Sequence, residues 1–297
     1  MSFPNHSMIF EAGYSILRGS TPLLFAALGG FVCERSGVIN IALEGLMLIG
    51  SFAAASAAYA TGSPWLGLVA GILAGVALAA IYAVSVIPMR ANQIVAGTAI
   101  NLLAAGAAPF LCKIFFSSGR STPSLEIGAR FQSAPMWIAL AFVVLAALWS
   151  RYTPSGLWVR FAGENPEALA AAGVRVNRVR WFAVLMSGAL SGLGGASLSI
   201  FLASSFSQNM TAGRGFMALA ALIFGKWRPI PAAVACLLFG FTDALQIRLQ
   251  GVVLWGSEPV PVQFIQILPY IVTVLVLAGF VGQSRAPKSL GLPYRQG

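Results

Sequence analysis

Polar side chains interrupt the apolar runs of this sequence in small groups, most of them spaced three or four residues apart, which places them on one face of a helix. These residues are Asn40, Glu44, Gln93, Thr98, Asn101, Asp243 and Gln246. Amide and hydroxyl groups can exchange hydrogen bonds with a small, polar, uncharged solute. Because polar residues inside a membrane are costly, each is a functional candidate. We therefore treat these residues as candidates for lining a translocation path.

The same side chains have an alternative role, which is to form hydrogen bonds between helices and hold a bundle together, at about 0.6 kcal/mol per contact. The two roles stay open for Asn101, Asp243 and Gln246. For Glu44 the structural role is favoured, with its carboxylate at a helix terminus or paired with Arg35.

Patterns that would indicate catalysis or metal binding are missing from the sequence. The one histidine, His6, stands in the polar N-terminal tail, and the cysteines Cys33, Cys112 and Cys236 are too far apart for a metal-ligand spacing. No clustered nucleophile and base stands out, so we predict that the chain is not an enzyme. The phosphate-loop pattern GxxxxGK(S/T) is also missing, so we expect no cofactor, and energised transport would need a separate ATPase.

A polar stretch at residues 151–180 contains the signals for a short helix. Asn165 is a suitable N-cap, Pro166 suits the first helical position and Gly173 suits the end of the helix. The predicted helix of about two turns is rich in alanine. Its smooth surface would suit insertion into a groove of another protein.

The composition requires a membrane. Of 297 residues, 58% are hydrophobic and 9% are charged, with a mean hydropathy of +0.83, whereas soluble domains carry roughly 25% charged residues. The net charge of +10 comes from basic residues in short segments between apolar runs. This distribution is typical of membrane proteins, whose cytoplasmic loops are basic, and it argues against nucleic-acid binding.

Nine segments are candidate membrane-spanning helices, which need about 20 mainly apolar residues. They are 14–33, 41–60, 65–88, 92–115, 134–150, 181–204, 210–225, 230–250 and 262–282. Segment 210–225 carries Arg214 near its start and could be broken. The polar run at 34–44 predicts a broken or re-entrant element near 34–50. We therefore expect an all-α, polytopic transmembrane helical bundle of about 8–9 spans.

The basic residues predict the orientation of the chain. Five arginines in 151–180 place this loop in the cytoplasm, and Arg285 and Lys288 place the C-terminus on the same side. Nine spans would put the N-terminus outside and eight would put it inside, which the sequence leaves open. We expect one transmembrane domain, residues 1–297, and no cleavable signal peptide.

Small residues recur at four-residue spacing in two of the apolar segments. Gly67, Gly71 and Gly75 form one stripe, and Gly188 and Gly192 form another. Such stripes let helices approach closely in lipid. Packing inside one subunit is favoured over a dimer interface.

Five ordered blocks of the sequence resemble a known family of transport proteins. They are 34–50 (ERSGVINIALEGLMLIG), 92–101 (NQIVAGTAIN), 163–174 (GENPEALAAAGV), 213–227 (GRGFMALAALIFGKW) and 268–270 (LPY). Together they resemble the smaller permease subunit of nucleoside and simple-sugar ABC importers, within the ribose and branched-chain amino acid permease group. Ala42 departs from the pattern, since glycine is expected there.

This resemblance implies a permease in the bacterial inner membrane that works by alternating access. It would pair with a second, homologous permease on two cytoplasmic ATP-binding subunits, which bind the ATP, and an extracytoplasmic substrate-binding protein would deliver the solute. A nucleoside is the first choice of solute and a simple sugar the second. The residues implied in coupling to the ATPase are Gly163, Glu164, Asn165, Pro166, Ala170, Ala171 and Gly173.

A stand-alone secondary transporter or channel is the alternative function. It predicts inverted repeats and ionisable coupling residues near mid-membrane. No repeat is clear, and only Glu44 and Asp243 are candidates for such residues. The two functions differ in whether the chain transports solute without an ATPase.

Overall fold

The computed structural model describes residues 6–249, Ile267, Ile271 and 285–294. Over these residues the fold is all-α, as predicted, with one isolated antiparallel bridge between Ser121 and Ser207. The predicted span 262–282 and the 268–270 block lie outside the described residues, apart from the two isoleucines.

Ten α-helices make up the described part of the chain. They are α1 (His6–Arg35), α2 (Leu43–Thr61), α3 (Pro64–Val86), α4 (Gln93–Phe116), α5 (Ala134–Tyr152), α6 (Pro154–Glu164), α7 (Pro166–Ala171), α8 (Val176–Ser197), α9 (Arg214–Phe224) and α10 (Pro229–Leu249). Seven of them, α1 to α5, α8 and α10, are long and apolar enough to cross a bilayer. Each of the seven coincides with a predicted span, whereas the predicted span 210–225 contains only the 11-residue α9.

The break expected near 34–50 is a buried connection between two complete helices. The first helix, α1, ends at Arg35, residues 36–42 are non-helical, and α2 then continues for 19 residues. Gly37 makes the turn with a φ of 93°, a conformation that favours glycine. The segment is therefore not a re-entrant hairpin, because α2 is long enough to cross the bilayer by itself.

A second interruption follows α8. This helix continues into a π-helical turn at Leu198–Leu202, and residues 203–213 are then non-helical up to the start of α9. Phe206 of this segment is fully buried and packs edge-on against Phe52, in the middle of α2, with ring centroids 5.4 Å apart. Helix α9 therefore begins inside the bundle, and 203–213 with α9 form one discontinuous return crossing.

Close packing of α2, α3 and α8 forms the centre of the bundle. A Cβ added at Gly192 would overlap the backbone oxygen of Gly71, and one at Gly75 would overlap that of Gly188. A Cβ at Gly67 would lie 2.8 Å from the carbonyl oxygen of Ala54 on α2. All five stripe glycines thus contact helices of the same chain.

We expect Gly192→Ala to lower the melting temperature of the detergent-purified protein by about 2–8 °C, because overpacking costs about 1–2 kcal/mol at such a site. Gly106→Ala on α4 is the matched control, since no atom lies within 4 Å of its added Cβ. Size-exclusion chromatography after heating measures the melting temperature of both variants. Equal melting temperatures for the two would contradict the packing argument.

Candidate coupling loop and translocation site

Two helices occupy the loop between α5 and α8. Only Thr153 separates α5 from α6, and its hydroxyl accepts a hydrogen bond from the backbone N–H of Gly156 at 3.2 Å. Helix α6 was not among the elements predicted from the sequence. The pair Thr153–Pro154 could have indicated this helix. Like Asn165–Pro166, it is an N-cap residue followed by a proline in the first turn.

The second helix, α7, lies where the capping pattern predicts a helix. The side chain of Asn165 accepts a hydrogen bond from the N–H of Ala168 at 3.1 Å, Pro166 is the first helical residue and Gly173 has a φ of 82°. Leu169 anchors α7, because it is 4% exposed and packs with Val159, Ala162, Val176 and Val179. Small exposed residues form the outer surface, namely Ala168, Ala171, Ala172 and Gly173, and Ala170 is half-buried.

The end of α6, directly before α7, rests on the end of α1. Glu164 forms an ion pair with Arg35, with 3.6 Å between their charged atoms. A Cβ on Gly163 would overlap the carbonyl oxygen of Arg35 and lie 3.0 Å from the backbone nitrogen of Gly37. Only glycine allows this approach, so the loop position is tied directly to the α1–α2 connection.

The described C-terminal segment, residues 285–294, is hydrogen-bonded both to the loop and to the α1–α2 connection. The N–H of Ser289 donates to the carbonyl of Gly163 at 2.8 Å, and the N–H of Gly291 donates to the carbonyl of Gly37 at 3.0 Å. The segment therefore bridges the loop and the α1–α2 connection.

Arg180 of α8 completes this junction. It is 3% exposed, and its guanidinium donates to the carbonyl of Leu292 at 2.9 Å. Sequence reasoning identified neither Arg180 nor the tail as part of the loop's support. The polar spacing of 285–294 follows no helical period, and the tail is held largely through backbone atoms.

Three of the predicted path residues hold the α1–α2 connection in place. The amide of Asn40 donates to the Ser187 hydroxyl at 2.7 Å, and the Gln93 side chain accepts from the N–H of Ile39 at 2.7 Å. Asn101 accepts from the N–H of Gly45 at 2.8 Å and its amide also donates to the backbone at 2.9 Å. These side chains direct hydrogen bonds to neighbouring segments of the chain.

Glu34 has a similar role, which the sequence analysis missed. This residue is 3% exposed, and its carboxylate accepts hydrogen bonds from the indole N–H of Trp227 at 2.6 Å and from the N–H of Asn40 at 3.3 Å. It ties the end of α1 to the turn between α9 and α10.

Glu44 caps the helix that begins inside the bundle. Its two carboxylate oxygens accept hydrogen bonds from the N–H groups of Gly213 at 2.8 Å and Gly215 at 2.6 Å, at the start of α9. A carboxylate is favourable there because a helix N-terminus has unpaired donors and a partial positive charge. Of the two structural partners considered for Glu44, the structure has the helix terminus, and Arg35 pairs with Glu164 instead.

An ion pair stands beside this helix start. Arg214 and Asp243 have charged atoms 3.8 Å apart, and their side chains remain 30% and 21% exposed. Gln246, one turn further along α10, is also half-exposed. In the neighbouring non-helical segment the exposed polar residues are Ser207, Gln208 and Asn209.

Thr98 is the predicted path residue that stands apart from the others. It is exposed on α4, and its hydroxyl donates to the carbonyl of Ile94 in its own helix at 3.0 Å. Among the predicted path residues that the structure describes, Asp243 and Gln246 lie half-exposed beside Arg214 and the polar residues of 203–213. Within the described residues no group of three or more potential metal ligands is found.

Comparisons with known proteins match the chain to transport permeases. The family model described as the permease component of a branched-chain amino acid transport system matches residues 14–277. The guanosine ABC transporter permease protein NupQ of Bacillus subtilis is 38% identical over 94% of this chain and 94% of its own. The nucleoside ABC transporter permease protein NupC of Lactococcus lactis is 37% identical over 93% of each chain.

The fold also resembles a solved structure. A metal-chelate type ABC transporter in an inward-facing conformation superimposes with a TM-score of 0.52, covering 94% of this chain and 91% of that one. The sequence identity is 18%, so the likeness concerns the fold alone.

Proposed function

Since the chain belongs to the family of branched-chain amino acid transport system permease components, we propose that it carries a nucleoside across the bacterial inner membrane. The chain is a multi-pass permease subunit of an ABC transporter. The observation that carries the nucleoside assignment is its similarity to NupQ and NupC, at 38% and 37% identity over nearly their whole lengths. Those two relatives carry guanosine and nucleoside in their names.

The coupling site in this proposal is α7. A six-residue helix that is anchored by Leu169 and exposes alanines suits a groove on an ATP-binding subunit. Movement of α7 would reach the bundle through Gly163 and Glu164, which contact the end of α1. The ATP-binding subunit supplies the hydrolysis in this scheme, and a second permease completes the pathway.

The solute path in this proposal passes the discontinuous crossing. Non-helical backbone at membrane depth is tolerated where protein or a water-filled cavity surrounds it, and 203–213 exposes polar side chains. Arg214, Asp243 and Gln246 could offer hydrogen bonds to the hydroxyl and ring-nitrogen groups of a nucleoside. Asn40, Glu44, Gln93 and Asn101 would support this path by fixing the backbone around it.

We place the loop 151–180 and the C-terminus in the cytoplasm. The basic residues support this side. The hydrogen bond between Ser289 and Gly163 supports a shared location, because the two segments touch. An extracytoplasmic binding protein would then deliver solute to the opposite end of the bundle.

Transport by reconstituted protein tests the function. We expect labelled guanosine to enter proteoliposomes that contain the chain, its partner permease and the ATP-binding subunits, together with the binding protein and ATP, and we expect ribose to enter more slowly. Uptake by the chain alone without an ATPase would instead indicate a stand-alone transporter. Preferential uptake of ribose would overturn the nucleoside assignment while leaving the permease function in place.

A further inference from the structure

A cationic cavity lies where α1, α5, α6 and the start of α10 meet. Its volume is about 530 Å³, and the residues that line it include four arginines, Arg35, Arg151, Arg160 and Arg228. The cavity lies at the end of the bundle that carries the 151–180 loop. It is separate from the discontinuous crossing and from the outer surface of α7.

The positive charge of this cavity is only partly balanced. Arg35 has a carboxylate partner, Glu164, at 3.6 Å. For Arg151, Arg160 and Arg228, no carboxylate of the described residues lies within 4.0 Å. Like charges held close together repel one another, so an anionic ligand in the cavity would be stabilised by the three unpaired arginines.

The cavity is also lined by exposed apolar and aromatic residues, which are typical of a membrane interface. Its lining includes Leu148 and Ile230, which are 49% and 59% exposed near the ends of the spanning helices α5 and α10. Tyr152 is 69% exposed, and the Arg151 guanidinium lies 5.5 Å from the centre of its ring. Exposed aromatic residues are typical of the headgroup level of a bilayer. A lipid acyl chain can therefore lie against the apolar wall while its headgroup reaches the arginines.

We propose that this cavity binds the phosphate of an anionic phospholipid from the cytoplasmic leaflet, such as phosphatidylglycerol. The proposal rests on the orientation given under the proposed function, which puts the arginines at the cytoplasmic leaflet. The apolar wall favours a lipid over free phosphate, because Leu148 and Ile230 offer a contact surface to the acyl chains of a lipid, which a free ion does not have. Basic pockets between membrane helices on the cytoplasmic side suit such headgroups.

The bound lipid would act on the coupling loop through Arg35. This residue lines the cavity and also pairs with Glu164, directly before α7. A phosphate in the cavity competes with Glu164 for the Arg35 guanidinium. The lipid composition of the membrane would then alter how firmly the loop is held against α1.

Native mass spectrometry of the detergent-purified transporter, titrated with phosphatidylglycerol or phosphatidylcholine, tests the site. We expect bound phosphatidylglycerol at lipid concentrations where phosphatidylcholine is not retained. The double substitution Arg151→Gln with Arg228→Gln should weaken phosphatidylglycerol binding about 25-fold, because each basic residue near the headgroups contributes about fivefold. The experiment measures lipid binding and does not depend on transport. A negative result would therefore contradict the lipid site without contradicting the proposed function.

Arg175→Gln with Arg178→Gln is the matched control. Both arginines are exposed, lie in the same loop region and line a different cavity. We expect this variant to retain phosphatidylglycerol, and both double variants should keep the wild-type melting temperature. The proposal is overturned by equal retention of the two lipids, by an equal loss in the control, or by displacement of the lipid with millimolar inorganic phosphate.

Discussion

Replacing Glu44 with alanine is expected to abolish solute uptake and to lower the melting temperature by about 6–12 °C. In the wild-type protein the carboxylate accepts hydrogen bonds from Gly213 and Gly215. Alanine would leave two backbone donors unpaired inside the bundle, at a cost of about 3 kcal/mol in total. Heating followed by size-exclusion chromatography measures the loss of stability.

Uptake should fail in this variant because α9 loses its attachment to α2. This helix has 11 residues and begins inside the bundle, so it depends on packing and capping to hold its position. The helix carries Arg214 at its start, beside Asp243. A shift of α9 would therefore displace the ion pair that stands on the proposed path.

Two further substitutions separate a capping role from direct contact with solute. Glu44→Gln keeps one acceptor oxygen and should give a smaller fall in melting temperature with partial uptake. Glu126→Ala removes an exposed carboxylate and should leave both measurements unchanged. If Glu44→Gln keeps the wild-type melting temperature yet abolishes uptake, the carboxylate would act on the solute rather than on α9.

Glu44 also illustrates what the sequence could predict about the site. Its four-residue spacing from Asn40 predicted a shared helical face, and a helix terminus or Arg35 was expected as its structural partner. The helix that it caps begins about 170 positions later in the chain, since Gly213 is 169 residues away. Such a contact depends on how distant segments pack, and a hydropathy pattern describes only local composition.

The long helices could be predicted because a hydropathy pattern describes local composition. The predicted span 92–115 differs by one residue at each end from Gln93–Phe116, because about 20 apolar residues in a row determine a crossing locally. The discontinuous crossing was predicted only in part. Arg214 near the start of 210–225 indicated a break, but the polar residues of 203–213 do not indicate locally that this segment enters the bundle, because its position depends on packing against α2. The support of the loop by Ser289 and Gly291 was also hidden, because backbone N–H groups donate whatever the side chain.

Replacing Asn165 and Pro166 with two glycines is expected to uncouple ATP hydrolysis from transport. Glycine in place of the Asn165 cap costs roughly a few tenths of a kcal/mol, and glycine in place of proline adds conformational freedom to the unfolded loop, for about 1.4 kcal/mol together. A six-residue helix has little stability of its own. The population of folded α7 should therefore fall about tenfold relative to its unfolded form.

The expected result in proteoliposomes is basal ATP hydrolysis that substrate-loaded binding protein no longer stimulates, with uptake reduced at least about tenfold. The matched control is Ser63–Pro64→Gly-Gly, which changes an N-cap and first-turn proline at the start of α3. This position lies outside the 151–180 loop, and α3 has 23 residues, so fraying of its first turn leaves the helix intact. The control should retain stimulation and uptake.

The outcome distinguishes a coupling element from a linker. If α7 were only a solvated connection, the two-glycine variant would keep stimulated hydrolysis, because Glu164 would still pair with Arg35 and Gly163 would still accept from Ser289. Loss of coupling with normal assembly requires that α7 itself carries the movement. Failure of the complex to assemble would show instead that α7 serves mainly as an anchor for the ATP-binding subunit.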